Sequence, residues 1–256
     1  MKYLEAEIKE NEGFIIPIGD CHIGDPAFKG DGRKKLQGYL DWVEEHPNSR
    51  IFLNGDIFNV ASRLSPTSPF ETDTNEYRIG VELFRPYAKQ ILGATDGNHE
   101  ARMLDYFGVS PLQSFCMELK IPYCKWSAVV ALKVGKRNTE KSFRQIYYIY
   151  FHHTSGGGGT IGGKINRVAK LREIVEGIDV YCGSHNHQLV VAPQDVFYPS
   201  ISAKDIMKRR IWFVDCGSYL KWDDSYAEKG MMPPSKLGSP KIRFSGGKEH
   251  SVNVSL

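Results

Sequence analysis

Phe14-Ile15-Ile16-Pro17-Ile18-Gly19-Asp20-Cys21-His22 decides how this chain is read. A short apolar run ending in Gly-Asp suits a buried strand that delivers polar side chains at its carboxyl end. The pattern returns at Arg50-Ile51-Phe52-Leu53, which runs into Gly55-Asp56, and at Ile91-Leu92-Gly93-Ala94-Thr95, which ends in Asp96-Gly97-Asn98-His99-Glu100. Between the first two lies a helical pattern from Lys34 to His46, with Leu36, Tyr39, Leu40 and Val43 on one face and Pro47 as its stop. Between the second and third, Glu76 to Gln90 has helical spacing through Ile79, Leu83 and Tyr87, with Pro86 predicting a kink or an early end. Strand and helix alternating in this way give a βαβ framework with a mostly parallel sheet.

The second half changes character. Ser127 to Val134 and Phe143 to Phe151 read as strands joined through the hairpin signal Gly135-Lys136-Arg137-Asn138. Asn166 to Val175 reads as a helix, and Val180-Tyr181-Cys182, Leu189-Val190-Val191 and Ile211-Trp212-Phe213-Val214 as short strands. The tail from Pro233 is rich in Gly, Pro and Ser and closes on an alternating Ser251-Val252-Asn253-Val254, an edge-strand pattern. Ala61 to Thr74, rich in Ser, Thr and Pro, reads as a long loop of the kind that carries function. The expected fold is α/β, two packed mixed β-sheets flanked by helices. At 256 residues and 41% hydrophobic content, a single domain over 1–256 is the default.

Composition excludes several classes. Charged residues make up 25% of the chain and the formal net charge is +3, a balance that neither demands nor excludes nucleic acid. The basic runs Lys204 to Arg210 and Arg33 to Lys35 are short and read as solvated faces rather than a nucleic-acid stripe. No stretch approaches the roughly 20 apolar residues that span a bilayer, and Met1 to Phe14 carries charge where a secretory segment is apolar. No membrane partner and a cytoplasmic location are therefore expected. The five cysteines are odd in number and form no CxxC pair, so they read as reduced, mostly buried thiols.

The chemistry lies in the histidines. Six of the eight fall in four tight clusters: His22, His99, the pair His152 and His153, and the pair His185 and His187. Each sits at or just beyond an expected strand end, where open α/β sheets place their binding crevices. In an extended segment side chains alternate faces, so Asp20 and His22 are expected on one side with Cys21 on the other, and His185 and His187 on one side with Asn186 turned away. Asp56, arriving alone on its strand, is the natural carboxylate to bridge two cations. Imidazole, carboxylate and amide oxygen without thiolate suit Mn, Fe, Zn, Co or Ni.

In the order Gly19-Asp20-Cys21-His22, Gly55-Asp56-Ile57-Phe58-Asn59, Gly97-Asn98-His99-Glu100, His152-His153 and Gly183-Ser184-His185-Asn186-His187, the chain resembles the calcineurin-like metallophosphoesterases. That resemblance implies a two-metal phosphoesterase. Asp20, His22 and His187 would hold the first ion, Asn98, His185 and one histidine of the pair the second, and Asp56 would bridge them. His152, directly following Ile149-Tyr150-Phe151, is the favoured member of the pair, which leaves His153 as a substrate or supporting group. His99 would serve as a catalytic hydrogen-bond or proton donor toward the leaving oxygen. Asn59 stands where many relatives carry an acid, and Ser184 sits between Gly183 and His185 where relatives commonly have Gly-His.

Other residues have two readings each. Arg102 either grips a phosphoryl oxygen or pairs with Glu100 or Asp105. The run Ser155 to Lys164 lacks the Gly-Lys-Ser/Thr ending of a phosphate loop and reads as a mobile loop beside the metals. Tyr77, Trp222 and Tyr226 either stack on a base or simply pack. The expected cofactors are two divalent ions, manganese first. The expected substrate is a phosphoester, a nucleotide or DNA, hydrolysed as a diester, because Ile57-Phe58-Asn59-Val60 lacks the acidic-Arg-Gly continuation of the protein-phosphatase branch. A phosphomonoesterase, or a binding module that has lost catalysis, are the competing readings.

Overall fold

The computed structural model describes residues 1–62, 75–136, 144–156, 159–229 and 231–256, the side chain of Tyr226 aside. All but the first two residues of the expected loop over 61–74, the turn at 137–138 and the centre of the glycine run at 157–158 lie outside the described residues, as does residue 143. The first half contains β1 (Lys2–Ile8), β2 (Glu12–Ile18), α1 (Asp31–Glu45), β3 (Ser49–Asn54), α2 (Glu76–Phe84), β4 (Ile91–Thr95), α3 (Asn98–Phe107) and α4 (Pro111–Leu119). The second contains β5 (Ser127–Val134), β6 (Gln145–His152), α5 (Ile161–Lys170), β7 (Val180–Gly183), β8 (Leu189–Ser200), β9 (Asp205–Cys216), α6 (Tyr226–Lys229), β10 (Lys241–Ser245) and β11 (Val252–Ser255).

These strands form two sheets, ordered β1-β5-β6-β7-β9-β8 and β11-β10-β2-β3-β4. Both are mixed. β2, β3 and β4 run parallel, and so do β6, β7 and β9, while β5–β6, β8–β9 and β10 with its two neighbours are antiparallel. The sheets face each other across a core that includes Ile15 and Phe52 from one and Val130, Tyr147, Ile149 and Phe151 from the other. Phe52 and Phe151 stack at 3.8 Å between centroids, joining the layers. Fully burying such a ring contributes about 1.5–3 kcal/mol. Helices α1, α2 and α4 cover the outer face of the five-stranded sheet through Leu36, Leu40, Val43, Val81, Phe84 and Phe115. Helix α5 covers the other sheet with Val168 against Tyr150, Tyr181 and Phe213. The fold is the expected α/β one, two mixed sheets between helices.

Differences from the sequence reading have local causes. β1 was not foreseen, because its sequence KYLEAEI is half-exposed along an edge beside β5 and its charges hide the alternation. The helix expected over 76–90 stops at Phe84 and continues as a tighter 3₁₀ turn over Arg85–Gln90, with Pro86 supplying no N–H to an α-helical ladder. The helix expected from Asn166 starts at Ile161, capped by Thr160, whose Oγ1 accepts from the Gly163 N–H at 3.1 Å. The short strands at 189–191 and 211–214 are the inner ends of a hairpin with two twelve-residue arms. Its outer part has no burial pattern to read, since Phe197, Ile201 and Ile206 are exposed.

Candidate metal centre

The carboxyl ends of β2, β3, β4, β6 and β7 open onto loops that carry the histidine and aspartate motifs. The first two loops are zipped side by side: the N–H groups of Asp20, His22 and Ile23 donate to the carbonyls of Gly55, Asp56 and Ile57 at 3.1, 3.0 and 2.8 Å. The backbone here is not the extended strand that the alternation argument assumed. Asp20, His22, Asp56, His185 and His187 all have positive φ, between 48° and 80°. Each left-handed residue turns the chain so that its side chain enters the crevice, and strained conformations of this kind gather at functional sites. Asp20 and His22 do converge on one group, by turns rather than by a pleat, whereas His185 and His187 are delivered to different groups.

Two glycines make the approach close enough. A side chain on Gly97 would place its Cβ 2.1 Å from Asp56 Oδ1, and one on Gly55, at φ +81°, would meet His153 Nδ1 at 2.5 Å. Across this gap the His99 N–H donates to Asp56 Oδ1 at 2.8 Å. Glu100, fully buried, accepts from the N–H groups of Asp56 (3.0 Å), Gly97 (2.9 Å) and Phe58 (2.9 Å), tying the second and third motifs together.

The side chains form two cages linked by a third group, His22, Asp56 and His99. In one, ligand atoms of Asp20, His22 and His187 all lie within 4.8 Å of one another, and in the other so do those of Asp56, His153 and His185. Asp56 also meets His22 and His99, with Oδ2 3.8 Å and 4.0 Å from their Nε2 atoms. Asn98 Oδ1 joins the second cage, 2.7 Å from His185 Nδ1 and 3.3 Å from His153 Nε2. Tautomers follow from the partners, because a carbonyl only accepts: His153 Nδ1 donates to the Asn54 carbonyl at 2.9 Å and leaves Nε2 facing Asp56 at 3.3 Å. A backbone carbonyl that orients an imidazole in this way is the usual support for a metal-binding histidine. His99 Nδ1 likewise donates to the Asn59 carbonyl, which leaves Nε2 toward Asp56.

Charge is arranged to match. Burial opposes ionisation of Asp20 and Asp56, but His187 and His22 beside the first, and His153, His99 and His22 beside the second, hold both carboxyls well below the usual range. Burial also opposes a proton on His153, yet Asp56 draws it up to about 10. His99 is pushed down to about 3 by burial and by His22, so its ring is neutral at pH 7. Burial and Asp56 push Glu100 up to about 7.

A metal fits these residues by direct observation. Asp20 Oδ1 is buried with no hydrogen-bond partner, and the Nε2 atoms of His22 and His187 face each other at 3.2 Å beside it. Unpartnered buried donors and acceptors are costly to a fold, and a cation held among the acceptors satisfies them.

The structure corrects the choice within the histidine pair. His153, not His152, enters the cage. Residues 147, 149 and 151 of β6 point into the inter-sheet core and His153 continues that phase, whereas His152 follows Tyr150 to the outer face. There it lines a cavity with Asn166, Arg167 and Lys170, and burial followed by the neighbouring His153 lowers its pKa. The phase of the apolar residues was readable in the sequence and points to His153.

Arg102 lies half-buried on α3 with its Nη1 buried and unpartnered. It pairs with neither Glu100 nor Asp105 among the described residues. Ser184 is fully buried and accepts from Asn54 Nδ2 at 2.9 Å. Tyr77 and Trp222 are engaged with the protein itself, Tyr77 OH donating to Glu118 at 2.9 Å and Trp222 Nε1 to the Met232 carbonyl at 2.7 Å. Asp215 was missed by the sequence reading. It accepts from Asn186 Nδ2 at 2.9 Å and so anchors the residue between His185 and His187. No motif surrounds it, and only the fold brings it to that loop.

No protein-family model and no curated protein sequence matches the chain. Among solved structures it is similar to YfcE, a phosphoesterase from E. coli, at 13% identity and a TM-score of 0.46, covering 94% of this chain and 98% of that one. It is also similar to the NAD nucleotidase NadN of Haemophilus influenzae (12% identity, TM-score 0.42, 97% of this chain and 50% of that one). A third is the calcineurin-like phosphoesterase YfkN of Bacillus subtilis (12%, TM-score 0.39, 96% and 91%). No helix among the described residues is long and apolar enough to cross a membrane.

Proposed function

We propose that this protein is a metal-dependent phosphodiesterase acting on a nucleotide or nucleic-acid-type diester. The observation that carries the reading is the pair of cages linked through His22 and Asp56, with the buried Asp20 Oδ1 left unpartnered inside. Asp20, His22 and His187 would hold one divalent cation, Asn98, His153 and His185 a second, and Asp56 both. N and O ligands in this number exceed a closed structural tetrahedron and suit manganese-class ions. When bound, such a pair supplies Lewis acidity, neutralising the phosphoryl anion and acidifying water for in-line attack.

The protein's own groups do the rest. Asn59 fixes the His99 ring so that Nε2 faces the centre, where a phosphoryl anion stabilises a second proton for delivery to the leaving oxygen. Arg102 offers an unpartnered guanidinium nitrogen one helical turn from His99. Diester preference is supported by the two residues after Asp56: Ile57 and Phe58 are wholly buried in the core and place no extra cation for the second charge of a monoester.

The test is hydrolysis of bis-p-nitrophenyl phosphate against p-nitrophenyl phosphate with added manganese, in wild type and Asp56→Ala. Diester turnover lost in the variant is expected. A strong monoester preference overturns the substrate reading. Protein that neither binds manganese nor hydrolyses either ester is a binding module.

A further inference from the structure

A second concavity, of about 770 Å³, lies between α1 and the segment leading into β10. Its walls carry Lys34, Lys35, Lys236 and Lys241 together with the rings of Tyr39 and Trp42. Lys34 and Lys35 belong to the short basic run that looked like a solvated face. Both are exposed, as that reading expects, and they are two of four ammonium groups around one hollow, none of which makes an ion pair among the described residues. Lys241 Nζ sits 3.9 Å from the Trp42 ring centre and 5.9 Å from that of Tyr39, and Lys35 lies 5.6 Å from the Tyr39 centre on its own account. Burial and the nearby Lys35 both make the Lys241 charge harder to keep. Asp31 and the final residue, Leu256, also line the hollow. Like charges held together with so little acid nearby are relieved by a bound anion.

The hollow and the metal centre share neighbours. Lys236 and Leu237 line both the hollow and a water-sized cavity of about 30 Å³ whose walls include His187 and Trp222. Ser239 on its wall meets Tyr219 OH at 2.8 Å, and the Tyr219 N–H donates to the Asp20 carbonyl at 3.1 Å. A strand that leaves the centre past His187 therefore runs over the surface rather than through that cavity, and the exposed Lys236 is the first of the four lysines beside its path. Its bases find no platform there: Trp42 is stacked on His46 at 3.8 Å on one face and engaged by Lys241. What the hollow offers is charge for a backbone of phosphates.

We propose that Lys34, Lys35, Lys236 and Lys241 form a remote phosphate subsite that takes the backbone of a single-stranded nucleic acid whose scissile linkage lies at the metal centre. This rests on the diester reading of that centre, and it makes the substrate a polymer read without regard to sequence.

The experiment measures binding of a fluorescent thymidine strand, about twelve nucleotides long with phosphorothioate linkages, to the manganese-loaded protein by anisotropy over a range of salt concentrations. Each phosphate neutralised contributes a slope of about −0.7 in log K against log salt. Lys35→Gln/Lys236→Gln, two exposed positions, is expected to flatten the slope by about 1.4 and to weaken binding about 25-fold at 0.1 M salt. Inorganic tripolyphosphate is expected to displace the strand from wild type. Equal slopes in wild type and double variant overturn the subsite, as does tripolyphosphate binding that the double variant abolishes while strand binding is unchanged. If wild type hydrolyses no diester, the reading of the metal centre falls, and the salt slope still decides whether the hollow binds a strand.

Discussion

Glu100 accepts the backbone N–H of Asp56 at 3.0 Å, and the same carboxylate accepts from Phe58 and Gly97. One buried side chain thus sets the spacing between the loop that carries Asp56 and the helix that begins at Asn98.

Glu100→Gln tests that tie. A carboxamide keeps one acceptor oxygen and turns an NH₂ toward a backbone N–H, so at least one buried donor loses its partner, at a cost of about 1–3 kcal/mol. In a chain of this length the melting temperature should fall by about 5 °C. Calorimetry checks it, and an unchanged melting temperature contradicts the role given to Glu100.

The two neighbouring histidines should separate cleanly. His153→Ala removes a cage ligand, and manganese affinity by isothermal titration should drop by more than the 10–100-fold typical of a supporting residue. His152→Ala, on the outer face, should change it by less than about 3-fold, small beside that range. A larger loss from His152→Ala would restore the assignment that the sequence favoured.

Gly97→Ala drives a methyl group to 2.1 Å from Asp56 Oδ1. Overpacking of this kind costs typically about 1–3 kcal/mol, and here the yielding partner is the shared carboxylate. Diester hydrolysis should fall much further than stability does, and parallel rate and melting measurements show whether it does so.

The hairpin arm gives a pH prediction away from the metals. Asp195 accepts from Arg210 Nε at 2.8 Å and Nη2 at 3.2 Å, with Lys208 3.3 Å away, and these cations hold its carboxyl below the usual value of 3.8. A depressed folded-state pKa means that the pair's contribution is present above the unfolded value and is lost as pH falls through the folded one. An NMR titration of the Asp195 carboxyl should show a midpoint below 3.8 that rises in Arg210→Gln.

The strands ending in Gly-Asp could be read because a buried parallel strand is a continuous apolar run, as at Ile15 to Ile18 and Ile51 to Leu53. β1 and the outer hairpin could not be, since neither buries a full face. At the site, residue types and order singled out Asp20, His22, Asp56, His185 and His187, which the structure brings within reach of one another in linked groups. Two things escaped. The side on which His153 emerges depends on the phase of β6 across its last residues, and Asp215 acts from a strand distant in sequence on a loop that it alone does not mark.

The left-handed turns at Asp20, His22, Asp56, His185 and His187 bear on how this protein could be engineered. Each costs on the order of 1 kcal/mol that glycine would avoid, so a screen for thermal robustness in metal-free medium would reward replacing the very side chains that form the cages. Hardening this protein without losing those side chains therefore calls for selection with divalent cations present throughout.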